Sequence, residues 1–176
     1  MQRVHLTPHD IRWAGNFALE ASIVVNTLGD LLVAIHHIGS TAIPGICAKP
    51  IIDILAVVSD LSMLDAKSPE LEAMGYEAMG EFGIPGRRYF RKNDPAGNRT
   101  HQIHAFQAGS PQIERHLAFR DFMRANPECA IRYDALKQRL AELYPTDIAS
   151  YTDGKDEFMK EMDARAAAWR SGTGFV

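Results

Sequence analysis

An apolar run that contains a single carboxylate constrains the fold of this chain more than any other segment. Pro50 precedes the sequence IIDILAVV, which spans residues 51–58 and is interrupted only by Asp53. A nearly continuous apolar run of this length is typical of a β-strand that is buried on both faces. Such a strand needs other strands beside it and helices over the sheet, so the run predicts an α/β domain.

Helical periodicity precedes this strand. Apolar residues recur at three- and four-residue steps from Trp13 to Leu28, which predicts a first helix over residues 8–28. Thr7 is its predicted N-cap, since Pro follows it at the first helical position. The rest of the chain predicts strands over 31–38, 76–82, 88–92 and 100–106, a short helix starting at Ser68, and helices over 111–125, 128–143 and 153–170.

The predicted order is an α/β half followed by an all-helical half. At 176 residues the chain is long enough for one domain with a proper core. We therefore predict a single domain over residues 1–176, of the α/β (α+β) class. Residues 1–108 form its mixed sheet with flanking helices, and residues 109–176 form helices that pack on it.

Charge and composition exclude several classes of protein. A net charge of −3 and a pI near 6.1 give no global attraction to nucleic acid, so no nucleic-acid partner is expected. No apolar run approaches the roughly 20 residues that span a bilayer, and the N-terminus lacks the apolar region of a signal peptide. Cys47 and Cys129 form no paired motif, so we expect reduced thiols and a cytoplasmic protein.

Residues 38–53 contain a pattern suited to phosphate. Gly39-Ser40-Thr41 follows a predicted strand, where glycine lets backbone N–H groups approach a phosphate and serine adds a donor. Lys49 offers a positive charge, and Asp53 offers a carboxylate for Mg²⁺ together with substrate phosphates. The structural alternative is that Asp53 bonds a backbone group or pairs with Lys49 or an arginine.

Three long segments resemble the GrpB family: HHIGSTAIPGICAKPIIDILAVV, FRDFMRANPECAIRYDALKQRLA and YTDGKDEFMKEMDARAAAW. The resemblance covers essentially the whole chain and implies a nucleotidyltransferase-like fold. Active members of that superfamily combine a Gly-Ser turn with two carboxylates at D-x-D on the next strand and a third on a later strand. These acids bind two metal ions that position a nucleoside triphosphate.

The match to that superfamily pattern is partial. Gly39 and Ser40 match the turn and Asp53 matches the first acid, but Leu55 stands where the second acid belongs. The later strand has no carboxylate and offers Gln102 and His104, which share one face at a spacing of two. His104 is therefore interpreted as a metal ligand beside Asp53, as a base for an attacking hydroxyl, or as a hydrogen-bond partner of Asp53.

Basic and aromatic residues complete the predicted site. Arg88 belongs to an arginine cluster beside a loop rich in glycine. Because alternate residues of a strand face opposite sides, only part of this cluster can face one site. The resemblance adds further phosphate- or base-binding positions on the C-terminal helices, with arginine forks for phosphate and tyrosine rings for a base. These positions are Arg120, Tyr133, Lys137, Tyr151 and Lys155.

Three functional hypotheses follow. The first is a nucleotidyltransferase that acts with NTP and Mg²⁺ on a small acceptor, with Asp53 and His104 as catalytic residues. The second is a catalytically degenerate module that binds a nucleotide or another phosphorylated small molecule, as the missing acid at Leu55 favours. The third is an accessory role, as the family's fusion to a dephospho-coenzyme A kinase implies. No membrane partner is expected, and the oligomeric state stays open.

Overall fold

The computed structural model describes residues 3–172, which form five strands and six α-helices. No helix in this described part is both long and apolar enough to cross a membrane. In chain order the elements are α1 (Arg12–Leu28), β1 (Leu32–Ile38), β2 (Ile52–Val58), α2 (Leu61–Ala73), β3 (Tyr76–Ala78), β4 (Arg87–Asn93), β5 (Arg99–Gln107), α3 (Pro111–Ala125), α4 (Pro127–Leu143), α5 (Ile148–Asp153) and α6 (Asp156–Arg170).

The first helix begins later than the sequence predicts. It starts at Arg12, and Thr7 is not its cap. The backbone of Thr7 instead pairs with Ala48 in an isolated antiparallel bridge, with N–H···O=C distances of 2.9 and 3.0 Å. Because this bridge needs an extended backbone at Thr7, the Thr-Pro signal is overridden by a contact that is distant in sequence.

One other helix prediction was wrong for a local reason. The α2 helix begins at Leu61 and not at Ser68, because the Asp60 carboxylate accepts a hydrogen bond from the Met63 N–H at 2.9 Å and caps an earlier start. The predicted helix over 153–170 corresponds to α6, which begins at Asp156. A separate short helix that was not predicted, α5, precedes it. Asp147 caps the start of α5, and at its end the Gly154 N–H bonds the Ser150 carbonyl.

The chain divides into two compact units. The first, here called the sheet unit, comprises residues 11–39 and 51–114. The second, the helical unit, comprises residues 3–10, 40–50 and 115–172 of the described chain. This division departs from the predicted halves because residues 3–10 and 40–50 group with the C-terminal helices.

The sheet unit contains one mixed five-stranded sheet in the order β1-β2-β5-β4-β3. Strand β2 pairs in parallel with β5, and every other neighbouring pair is antiparallel. The prediction that residues 51–58 form a strand buried on both faces is confirmed, because six of the seven β2 residues are buried. Helix α1 packs on β1 and β2, and α2 packs on β3 and on α1.

The helical unit has its own apolar core, into which the segment 40–50 contributes Ile43 and Ile46. Arg124 of α3 donates a hydrogen bond of 2.8 Å to the Ala42 carbonyl, and the Val4 N–H donates to the Pro145 carbonyl at 2.8 Å. The segment 40–50 is therefore part of this core and not an exposed loop. The core residues from the helices are Ala118, Phe119, Phe122, Met123, Cys129, Ala130, Tyr133, Met162 and Ala166.

The buried side chains of β2 should contribute strongly to the stability of the sheet unit. Ile54→Ala removes apolar contacts at a fully buried position of β2 and should lower the free energy of unfolding by about 2–5 kcal/mol. Met63→Ala is the matched control, because that side chain on α2 is 56% exposed and its loss should cost little. Urea unfolding followed by circular dichroism measures both changes, and equal effects of the two substitutions would contradict the assigned burial.

Candidate functional site

Strand register places the predicted acidic and polar residues on one face of the sheet. In the parallel pair, Asp53 lies opposite Gln102 and Leu55 lies opposite His104. Paired residues point to the same side of a sheet, and residues two apart on a strand do so as well. These four side chains therefore share one face, here called the acid face. The structure brings Asp53, Gln102 and His104 together as the sequence predicts.

His104 bridges Asp53 and an arginine. Its Nε2 lies 3.3 Å from Asp53 Oδ1, and its Nδ1 lies 3.4 Å from Nη1 of Arg87. A guanidinium only donates hydrogen bonds, so this arrangement assigns His104 Nδ1 as acceptor. The ring proton then sits on Nε2 and is donated to the Asp53 carboxylate. Both ring nitrogens are thereby engaged, and His104 orients the carboxylate.

Arg87 is the residue of this cluster that the sequence did not single out. Its side chain is buried, and it donates from Nη2 to the Phe82 carbonyl at 2.6 Å and from Nε to the Glu81 carbonyl at 3.1 Å. Its guanidinium carbon also lies 4.9 Å from the centre of the Tyr89 ring. The antiparallel register of β4 and β5 places Tyr89 opposite His104. Because this register is set by tertiary pairing, sequence alone offers no reason to prefer Arg87 over the neighbouring Arg88 as the arginine near His104.

Arg88 lies on the opposite face of the sheet from His104. It donates from Nε and Nη2 to the two carboxylate oxygens of Asp65 on α2, at 2.5 and 2.8 Å. These hydrogen bonds from Arg88 lower the pKa of Asp65 below its usual value. The structure therefore does not bring Arg88 together with Asp53 and gives it a partner on a flanking helix.

His101 also lies on that opposite face, as the strand spacing predicts. Its Nε2 is 3.9 Å from Glu20 of α1, whose carboxylate accepts hydrogen bonds of 2.9 Å from both Tyr76 and Lys92. Burial raises the pKa of Glu20, but the bonds from Lys92 and Tyr76 outweigh it and lower the pKa overall. His101 and His104 therefore belong to separate clusters and do not share a metal.

The turn after β1 approaches the Asp53 carboxylate closely. Gly39 has φ of 71°, a conformation that favours glycine, and a Cβ built at this position would clash with Asp53 Oδ2. Leu55, two residues after Asp53 on the same strand, is fully buried. Across residues 3–172, no group of three or more His, Cys, Asp or Glu side chains is arranged to hold a metal ion.

In the helical unit, a buried lysine fixes the segment 40–50. Lys137 of α4 is 2% exposed and donates a hydrogen bond to the Cys47 carbonyl. Asp134, one turn earlier, accepts a 2.7 Å hydrogen bond from the Cys47 N–H and lies 3.9 Å from Lys137 Nζ. Burial lowers the pKa of Lys137 to about 8, although the Asp134 carboxylate opposes that shift.

Two further lysines lie against one tyrosine ring. Lys49 Nζ and Lys155 Nζ are each 4.5 Å from the centre of the Tyr151 ring, which is itself 2% exposed. Lys137 Nζ lies 4.7 Å from the centre of the Tyr133 ring, and the positive charge of Lys155 contributes to the lowered pKa of Lys137. We call Lys49, Lys137 and Lys155 the lysine cluster. The sequence predicted all three as phosphate-binding positions.

Tyr133 and Tyr151 contact the lysines and offer no open ring face. Tyr133 is 6% exposed, since it stacks on Phe158 with ring centres 5.4 Å apart and meets the edge of Phe119 at 5.9 Å. Burial raises the pKa of Tyr151 above its ordinary value. Stacking on a base, expected from sequence, requires an exposed ring face, and both tyrosines are buried.

The remaining predicted residues have varied surroundings. Ser40 begins a single turn of 3₁₀ helix in which its carbonyl accepts from the Ile43 N–H at 3.1 Å, and Thr41 is buried within that turn. Arg120 donates to the adjacent Asp121 at 2.8 Å, and Arg170 donates to the same carboxylate at 2.9 Å. Arg120 thus takes part in an ion-pair group on the helical unit.

Comparison with known proteins identifies relatives along nearly the whole chain. The profile of the family described as GrpB protein matches residues 3–165. The chain is 42% identical to UPF0157 protein YqkA of Bacillus subtilis (strain 168), over 97% of this chain and 49% of YqkA. It therefore spans about half the length of that relative.

Two further relatives match this chain over nearly the full length of both proteins. The glutamate-rich protein GrpB of Alkalihalophilus pseudofirmus is 37% identical, over 90% of this chain and 93% of that protein. The crystal structure of conserved protein GrpB from Enterococcus faecalis superposes with a TM-score of 0.87 at 41% identity, covering 92% of this chain and 96% of the other. The mixed sheet and the C-terminal helices are thus shared with a solved structure.

Substitution of Gly39 tests the close approach of the turn to Asp53. Gly39→Ala adds a Cβ that meets the Asp53 carboxylate, whereas Gly80→Ala adds one in open space at a similar φ of 62°. Both substitutions strain the backbone, but the overpacking should lower the free energy of unfolding of Gly39→Ala by about 1–3 kcal/mol more. Chemical denaturation of the two variants measures this difference, and equal losses would show that the turn does not lie against Asp53.

The buried ammonium of Lys137 gives stability a pH dependence. Its pKa of about 8 lies below the 10.5 of an exposed lysine, so the unfolded chain binds more protons between these values. Wild-type stability should therefore rise with pH across this window relative to Lys137→Met, by up to about 3 kcal/mol. Urea unfolding of both proteins at about pH 7.5 and about pH 10 measures it, and a constant difference would contradict the burial of a charged lysine.

Proposed function

The chain belongs to the GrpB protein family, and from this premise and the contacts above we propose that it binds a nucleoside triphosphate together with Mg²⁺. We further propose transfer of a nucleotidyl or phosphoryl group to a small acceptor. The observation that carries the proposal is the Asp53 carboxylate, held by His104 near the start of an otherwise apolar strand. A carboxylate in such a strand is costly unless a ligand or partner uses it.

Within the helical unit, and independently of Asp53, the lysine cluster supports binding of a phosphorylated ligand. Its three ammonium groups lie within the helical unit, where Lys49 and Lys155 each contact the Tyr151 ring and Lys137 lies 3.9 Å from the Asp134 carboxylate. Lys137 is buried and fixed, while Lys49 and Lys155 are partly exposed. An anion with several charges neutralises such a group of like charges and is stabilised by it. A triphosphate fits this requirement better than a single carboxylate.

The residues on the acid face fit one magnesium ion and do not fit two. A two-metal site needs the additional acids, and Leu55 and Gln102 supply no charge. One Mg²⁺ ordinarily binds through one or two carboxylates plus substrate phosphates, and Asp53 retains 24% side-chain exposure for that role. Bound in this way, the ion would neutralise part of the negative charge of the phosphates.

The protein side chains would then have distinct roles. Asp53 would hold the ion, His104 would orient Asp53 as a positioning residue, and Arg87 would keep the His104 proton on Nε2. In the transfer step an acceptor hydroxyl oxygen forms a bond to phosphorus, and the bond from phosphorus to the leaving phosphate oxygen breaks. The acceptor proton leaves to water, and pyrophosphate or a nucleoside diphosphate departs.

A second candidate function is ligand binding without turnover. The burial of Leu55 favours it, because a fully buried apolar side chain stands where the second metal-binding acid acts in active nucleotidyltransferases. The lysine cluster serves a binding module equally well. Release of pyrophosphate or of nucleoside diphosphate in the presence of candidate acceptors separates the two functions.

Thermal shift measurements test ligand binding directly. A nucleoside triphosphate at about 100-fold its dissociation constant should raise the melting temperature by about 5–10 °C, and Mg²⁺ should increase that shift. Asp53→Asn should remove the increase due to Mg²⁺. Asp65→Asn is the matched control, since it removes a carboxylate that pairs with Arg88 on the other face. Indifference of the magnesium effect to Asp53→Asn would exclude Asp53 as the metal ligand.

Substitution in the lysine cluster tests the phosphate contacts. Lys155→Met should weaken triphosphate binding about 10-fold or more, because one charge-assisted contact is lost. Lys67→Met is the control, since that lysine pairs with Glu70 on α2. Isothermal titration calorimetry at fixed ionic strength measures both. The absence of binding by any nucleotide to the wild-type chain would overturn both candidate functions.

A further inference from the structure

The two edges of the sheet differ sharply in their protection. Strand β3 at one edge has three residues and carries Glu77, whereas β1 at the other edge has seven. The sequence of β1, LVAIHHI, contains no Lys, Arg, Asp or Glu. Edge strands usually avoid pairing with other chains by being short or charged, and β3 follows that rule. In strand β1 the only such protection is an irregularity in the pairing between Leu32 and Ala34, and Val33 at this point is 58% exposed.

One flank of α1 lies beside this edge. The α1 helix packs on β1 and β2, and the Thr27 carbonyl on its inner flank accepts a hydrogen bond from Lys67 of α2. Helix α2 packs on β3, so the flank of α1 opposite Thr27 is directed toward the β1 edge. At about 100° per residue, that flank contains Ala14, Ala18 and Val25.

The flank is apolar and exposed. Ala14 and Ala18 are exposed, Val25 is 42% exposed, and Ile11, which precedes the helix, is 86% exposed. None of these positions is charged. A set of exposed apolar side chains beside an unprotected strand edge is the kind of surface by which proteins associate.

We propose that β1 and this flank of α1 form a twofold interface with a second copy of the chain. Antiparallel pairing of β1 with its own copy would join two five-stranded sheets and bring the two α1 flanks together. The small side chains of Ala14 and Ala18 permit the close approach of the two helices.

A second copy fits this surface better than an unrelated peptide. The occupant must supply a strand edge and an apolar helix flank in a fixed arrangement, and a twofold axis supplies both at once. Self-association also places equivalent residues near one another, and an uncharged surface brings no like charges together. At about 25 Å in length and about 20 Å in width, the surface covers about 500 Å² per copy, close to the lower limit for a specific interface.

Sedimentation velocity of the full chain over a range of concentrations tests the proposal. Wild-type protein should shift from the 19.6 kDa chain mass toward twice that mass as its concentration rises. Ala18→Arg should keep the chain monomeric at every concentration, because it places two like charges in the contact. Leu19→Arg is the matched control and should remain dimeric, since Leu19 is 71% exposed but lies about 100° around the helix.

Hydrogen exchange provides the second measurement. Backbone amides on the outer edge of β1 should be protected in concentrated wild-type protein and lose that protection in Ala18→Arg, with the circular dichroism spectrum unchanged. Val25→Lys should repeat the loss of dimer if the arginine variant fails to fold. A wild-type chain that is monomeric throughout, or a dimer insensitive to both flank substitutions, would overturn the proposal.

Discussion

The pairing of β2 with β1 on one side and β5 on the other is the constraint on which the sheet unit depends. A strand with six buried residues cannot exist alone, because its backbone groups need partners and its side chains need apolar surroundings on both faces. The same pairing sets the position of Asp53. Its half-buried carboxylate lies on the face where His104, on the neighbouring strand, donates a hydrogen bond to it.

A comparable constraint governs the helical unit. The ammonium of Lys137 is removed from water, and its hydrogen bond to the Cys47 carbonyl offsets part of that cost. Asp134 binds the N–H of the same residue, so that α4 holds both backbone groups of Cys47. The segment 40–50 is thereby fixed, and with it Lys49 against the Tyr151 ring. The fixed position of Lys49 against this ring is what the proposed role of the lysine cluster relies on.

Much of the fold was predictable because its signals are local. The apolar run at 51–58 predicted β2, and the period of the C-terminal helices predicted α3 and α4 within a residue or two of their ends. The errors occurred where a distant contact, or a second local signal, competes with the local signal that was used. Thr7 has the composition of a helix cap, yet its backbone pairs with Ala48, 41 residues away. Asp60 caps α2, so that the helix starts well before Ser68, the predicted start. Both residues are adequate cap signals, and sequence alone does not rank them.

For the candidate site, the sequence by itself determined the chemical types: one carboxylate in an apolar strand, a glycine turn before it, a leucine in place of a second acid, and lysines on helices. It also determined that Gln102 and His104 share a face, because strand periodicity is local. Only the tertiary structure decided that Arg87 and not Arg88 reaches His104, since this depends on the register of β4 against β5. It likewise decided that Lys137 is buried, because burial follows from how separate segments pack.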